Sequence, residues 1–191
     1  MTYAIVVLNV ALFVLCAAAG YDASPSTSVL YSYGAITNDT LALHEYWRLL
    51  AAAFLHASLA HILTNMVCLV SWGAFLEQRI GSIYFVSIYL IAAIAGNIGS
   101  IIGHHEPYIS VGASGAISGL IGALLAMKLL GKTGLSAQFF VTNIGLNVVL
   151  MSSSGRIDWM SHLGGFLAGL VVCGLLSLTV GLGARSDPQN V

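Results

Sequence analysis

Charge is what this chain has least of. Of 191 residues, 6 are Lys or Arg and 7 are Asp or Glu, so 7% are charged, against about 25% in a soluble globular domain. So few charges cannot cover a water-soluble surface, which excludes a soluble enzyme and a disordered tail. The net charge of -1 leaves no basic face for phosphate backbones, and with it no nucleic-acid partner. Cysteine is scarce too. Cys16, Cys68 and Cys173 lie in separate apolar stretches with no CxxC, so a disulfide framework is excluded and three buried thiols are expected. A basic segment ahead of the first apolar run is also missing, which argues against a signal peptide.

What is present is apolar: 58% hydrophobic residues and a mean hydropathy of +0.93. The chain therefore reads as an integral membrane protein with little mass outside the bilayer. At about 20 residues per spanning helix, six spans fit and seven would leave almost no loops. The expected spans are 3–20, 49–76, 80–103, 112–130, 137–151 and 159–182. The fold class is all-α, a polytopic bundle of six transmembrane helices forming one domain over 1–191. The fifth span is the weakest, broken by Asn143 and Asn147. Residues 21–46 form the one long polar loop, and its Val29, Leu30, Tyr31, Tyr33 and Ile36 suit the membrane interface.

Basic residues set the orientation. With six spans, Arg79, Lys128, Lys132 and Arg185 fall on the side of the termini, and Arg48 and Arg156 on the other. Both termini are therefore expected in the cytoplasm, with the membrane a bacterial inner (plasma) membrane.

Ionisable groups at membrane depth are costly and point to function. Span two carries His56, His61 and Asn65 in its first half, span four opens with Ser114, and span six opens with His162. These three spans run in the same direction, so the five polar groups share one level in the outer half of the membrane. A lone serine in a spanning helix ordinarily bonds its own backbone, and a lone histidine ordinarily bridges helices. Convergence of five such groups from three helices is harder to explain as packing. Gly115 and Gly119 on span four, and Gly165 and Gly169 on span six, form stripes that allow close backbone approach. If the two spans meet there, Ser114 and His162 come within reach as nucleophile and base. Free N–H groups at the helix start would stabilise an oxyanion formed at Ser114.

The run Trp47-Arg48, His56, His61 and Asn65 is followed by Glu77 and Arg79. Gly112-Ala113-Ser114-Gly115 opens span four, and His162-Leu163-Gly164-Gly165 opens span six. In this order, over about residues 45 to 170, the motifs resemble those of the rhomboid intramembrane serine proteases. The resemblance implies a six-helix rhomboid-like bundle with a catalytic dyad of Ser114 (nucleophile) and His162 (general base). His61, Asn65 and the Ser114 backbone N–H would form the oxyanion hole. His56, Gly112 and Gly115 would support the site. Neither cofactor nor metal is implied, and the partners would be transmembrane protein substrates within the lipid bilayer. One departure stands out: many members carry an aromatic four residues after the serine, stacked on the histidine, and here that position is Ser118.

Two other readings remain open: a catalytically silent relative that binds transmembrane helices, and a rhombosortase-type processor of C-terminal anchors. A transporter would predict internal repeats and paired ions, and neither is found. His104-His105-Glu106 lacks the further spaced ligands of a metal site. Asp158, four residues before His162, is expected one turn further out, in water, rather than in a triad.

Overall fold

The computed structural model describes residues 1–22, 24–152 and 157–182, with the backbone alone at 143 and 146–152. Arg156 and Arg185 lie outside the described residues. The described chain is helical, apart from one isolated antiparallel bridge between Ile36 and Ser110.

α1 (Thr2–Gly20) is apolar on every side, as a lipid-embedded helix must be. Glu77 holds its start. The carboxylate accepts from the Thr2 N–H and hydroxyl (both 2.8 Å), from the Met1 ammonium, and from the Ser82 hydroxyl at 2.5 Å. An anion there offsets the positive helix end.

The long loop does not simply float in the interface. It contains α2 (Thr27–Tyr33), started by the Ser26 side chain and ended by Gly34 at φ 111°. Leu30, Ala35 and Ile36 are buried against the protein. Arg48 ties the loop down. Its guanidinium donates to the carbonyls of Tyr31 (2.5 Å) and Ala35 (3.2 Å) and to the Glu45 carboxylate at 2.7 Å. It also lies over the Tyr31 and Trp47 rings, at 4.3 and 4.7 Å from their centroids.

The second span differs from expectation. Instead of one helix over 49–76, α3 (Arg48–Ala51) runs into a 3₁₀ turn at Ala52–Phe54, and the chain is extended at Leu55. The spanning helix then starts afresh at α4 (Leu59–Cys68). Ser58 is the reason: its backbone is extended (φ −156°, ψ 163°) and its hydroxyl accepts from the His61 N–H at 3.2 Å, an N-cap. His56 thus precedes the span rather than riding on it. A π-helical turn (Leu69–Gly73) joins α4 to α5 (Ala74–Ile80), and Gly81 at φ 84° ends the segment.

α6 (Ser82–Gly103), α7 (Ser114–Leu129) and α9 (Trp159–Thr179) form the packed centre. α8 (Ala137–Ser152) is continuous through Asn143 and Asn147, not broken there. Among the described residues, four helical segments are long and apolar enough to cross a membrane: Thr2–Gly20, Leu59–Ile80, Ser82–Gly103 and Trp159–Thr179. α7 is shorter. At 16 residues it rises about 24 Å, less than the hydrocarbon thickness of about 30 Å. Its flanks are nearly all buried, and glycine explains how. A Cβ on Gly165 would stand 2.0 Å from the Gly115 carbonyl oxygen, and one on Gly169 would stand 1.9 Å from that of Gly119. α7 and α9 therefore touch backbone to backbone, as the small-residue stripes predicted. Cys16, Cys68 and Cys173 are buried and unpaired.

Candidate active site

Three helix starts converge on one recess. His61 is the third residue of α4, Ser114 the first of α7 and His162 the fourth of α9. All three line a cavity of about 500 Å³, together with Gly112, Ser110, Tyr108, His104, Asp158 and Ser161. α7 is too short to span, and the polar-lined recess at its N-terminus is large enough to hold water. The first-turn N–H groups of α7 have no intrahelical acceptor, and they face whatever occupies the space over Ser114.

Gly112 shapes the floor. Its φ is +131°, a conformation that L side chains rarely adopt. A Cβ there would stand 2.8 Å from both Cε1 and Nε2 of His61 and 3.8 Å from the Ser114 Oγ. The His61 ring edge and the serine hydroxyl thus flank one bare α-carbon. The Gly112 N–H donates to the Ala52 carbonyl at 2.9 Å, which joins this loop to the 3₁₀ turn at Ala52–Phe54. Gly115 faces the other way. A Cβ on it would be 2.7 Å from the Ser161 Oγ, so its role is to let α9 close in.

Three expected site residues lie outside the cavity lining: Gly115, Asn65 and His56. Asn65 is buried, and its Nδ2 donates to the His61 carbonyl at 2.9 Å, leaving Oδ1 without a partner. His56 is buried behind His61, with ring centroids 5.1 Å apart in an edge-on arrangement. It faces the Phe54 backbone without a well-formed hydrogen bond. Asn65 and His56 both contact His61, and among the described contacts neither bonds Ser114. Ser114 and His162 share the cavity, but no direct hydrogen bond joins them among the described contacts. Such bonds commonly tighten only when a substrate is bound.

Two neighbours of His162 were not anticipated. Trp159 is T-shaped against its ring, with centroids 6.1 Å apart. This aromatic contact comes from the histidine's own helix rather than from position 118. Asp158 is not in open water either. It is half-buried and caps α9, with Oδ1 accepting from the Ser161 N–H at 2.9 Å. Its Oδ2 accepts from the hydroxyls of Ser100 (2.5 Å) and Ser110 (2.9 Å). Those two hydroxyls belong to other elements, and this is what sequence could not supply. Above them Tyr108 stacks on His104 at 4.2 Å. Burial raises the Tyr108 phenol above its ordinary pKa, so it stays a neutral hydroxyl at the cavity rim.

The family profile described as "Rhomboid domain" matches residues 43–179, a stretch that contains every residue lining this cavity. The chain belongs to the rhomboid family. It is 35% identical to rhomboid protease GluP of Bacillus subtilis over 185 residues, which are 93% of this chain and 35% of that protein. It is 40% identical to RHOMBOID-like protein 2 of Arabidopsis thaliana over 153 residues, 76% of this chain and 47% of the relative. Rhomboid-like protease 3 of Toxoplasma gondii is 29% identical over 177 residues, 88% of this chain and 66% of the relative. The chain thus spans about a third to two thirds of these rhomboid proteins. Of the four membrane-length helical segments among the described residues, the matched stretch carries three, α1 lying ahead of it, and the protein is an integral membrane protein.

Proposed function

We propose that this rhomboid protein is an intramembrane serine endopeptidase that cleaves transmembrane proteins in or near their spanning helices. The observation that carries the reading is the recess itself. It gathers a serine hydroxyl at a helix N-terminus and three imidazoles, those of His61, His104 and His162, beside first-turn N–H groups that lack an intrahelical acceptor. His162 takes the proton of the Ser114 hydroxyl as the oxygen attacks the substrate carbonyl, and returns it to the leaving amine. The tetrahedral oxyanion falls toward the Ser114 N–H and the His61 ring, in the field of the α7 dipole. His61 is the side-chain donor, and Asn65 acts by holding the His61 backbone. A substrate helix must unwind before its carbonyl is accessible, since helical bonds protect it. Small or helix-breaking residues near the cleaved bond are expected for that reason.

The one-domain organisation over 1–191, the bacterial inner membrane and the cytoplasmic termini belong to the same proposal. The long match to a bacterial relative supports the choice of membrane. The presence of both Ser114 and His162 argues against a silent helix-binding relative. The test is cleavage of a single-span reporter by the full chain reconstituted in liposomes. Wild type should cut, and Ser114→Ala and His162→Ala should not. Uncut reporter with wild type, or cutting by Ser114→Ala, would overturn the assignment.

A further inference from the structure

The Trp159 ring belongs to the same helix as His162 and cannot fix how that helix sits against Ser114, so the proposed base needs a further hold. The contacts around Asp158 fill that need. His162 sits one turn along α9 from Asp158, and its N–H donates to the Asp158 carbonyl at 3.1 Å. The aspartate side chain, meanwhile, is bonded to three different pieces of the protein. Oδ1 caps its own helix at Ser161, while Oδ2 collects Ser100 from α6 and Ser110 from the loop leading to Ser114. Ser110 is itself fixed, since its backbone pairs with Ile36 at 3.0 Å in both directions. The carboxylate therefore ties the first turn of α9 to the segment that delivers the nucleophile. It lines the same cavity as the Ser114 and His162 side chains.

We propose that Asp158 is a positioning residue: its three-point clamp fixes the height and rotation of α9 so that His162 faces Ser114. It makes no recorded hydrogen bond to the imidazole ring and takes no proton. Two consequences distinguish this role from that of a triad acid. Asparagine should replace it, because Asn is a good N-cap and the serine hydroxyls can accept as well as donate. Loss of Ser100 and Ser110 should also mimic part of its loss while leaving the charge in place.

The inference rests on the protease reading, and the experiment separates the two. The full chain in detergent is titrated with a fluorophosphonate, and labelling of Ser114 is resolved into a maximal inactivation rate and a half-saturating concentration. Asp158→Ala should lower the maximal rate about ten-fold or more, with half-saturation unchanged within about two-fold. Asp158→Asn should recover at least about a third of the wild-type rate. Ser100→Ala/Ser110→Ala retains the helix cap and should fall between, which keeps the test informative if Asp158→Ala does not fold. An Asp158→Asn variant as slow as Asp158→Ala would overturn the clamp in favour of charge. So would a double serine variant that labels at the wild-type rate. Wild-type protein that is not labelled at Ser114 would overturn the protease reading and the inference together. Labelled wild type with an unchanged Asp158→Ala would overturn the inference alone.

Discussion

At the residue scale, the site depends on groups that do little besides hold space or orientation. Gly112 is the clearest. Its positive φ and the His61 ring beside it mean that Gly112→Ala adds both backbone strain and a clash with the imidazole. Cleavage should drop by at least about 10²-fold, because the displaced ring is the proposed oxyanion donor. The protein should still fold, since the strain involves one loop. Cleavage by Gly112→Ala at near wild-type rate would mean that His61 does not serve the oxyanion. His61 and Asn65 should also separate. The Asn65 amide already bonds the His61 carbonyl and does not line the cavity. Asn65→Ala should therefore cost about ten-fold, while His61→Ala costs the full loss of an oxyanion donor, about 10²–10³-fold. Reporter cleavage by the two variants side by side decides this, and equal losses would put Asn65 in direct contact with substrate.

At the element scale, the recess exists because α7 is short and tightly held. The approach of α7 to α9 is set by carbonyl oxygens that stand where a methyl on Gly165 or Gly169 would go. Adding that methyl must push the helices apart. Gly169→Ala should cost about 1–3 kcal/mol or more and lower the unfolding midpoint in detergent. Gly145→Ala, where a Cβ meets nothing within 4 Å, should change it little. Equal midpoints for the two variants would show that the α7–α9 seam tolerates expansion.

This seam was readable in advance, because a small-residue stripe needs only the helical period. So were the convergence of Ser114, His61 and His162 and the burial of the three thiols. The break before Leu59 was not, although its cause is local. Ser58 is a good N-cap, but an apolar run on both sides hid it, and His56 was carried onto the helix as a result. Asp158 was misplaced for a different reason. Its partners, Ser100 and Ser110, lie 58 and 48 residues away, and no spacing rule brings them together. Trp159 could have been found from its i, i+3 relation to His162.

At the scale of the whole molecule, the two ends of the bundle differ chemically. The end with the cavity carries Asp158, Tyr108 and His104 at its rim, with the Arg48-anchored loop folded beside it. At the other end, Lys128 donates to the Leu135 carbonyl at 2.5 Å and Lys132 to the Ser177 carbonyl at 2.6 Å. These cations sit at the C-terminal ends of α7 and α9, where they complement the negative dipole ends. Arg79 closes α5. The proposed orientation puts this basic end in the cytoplasm by the positive-inside rule, so the cavity should open to the outside. The three native thiols are buried, so an impermeant maleimide finds almost no background in the wild-type chain. Ser26→Cys lies on the exposed cap of α2, and Gly134→Cys lies where a side chain meets nothing within 4 Å. In intact cells Ser26→Cys should label and Gly134→Cys should not. Permeabilising the membrane should make both label equally. The reverse pattern in intact cells would turn the bundle over, put the recess on the cytoplasmic side, and require substrates to be cut near their cytoplasmic ends.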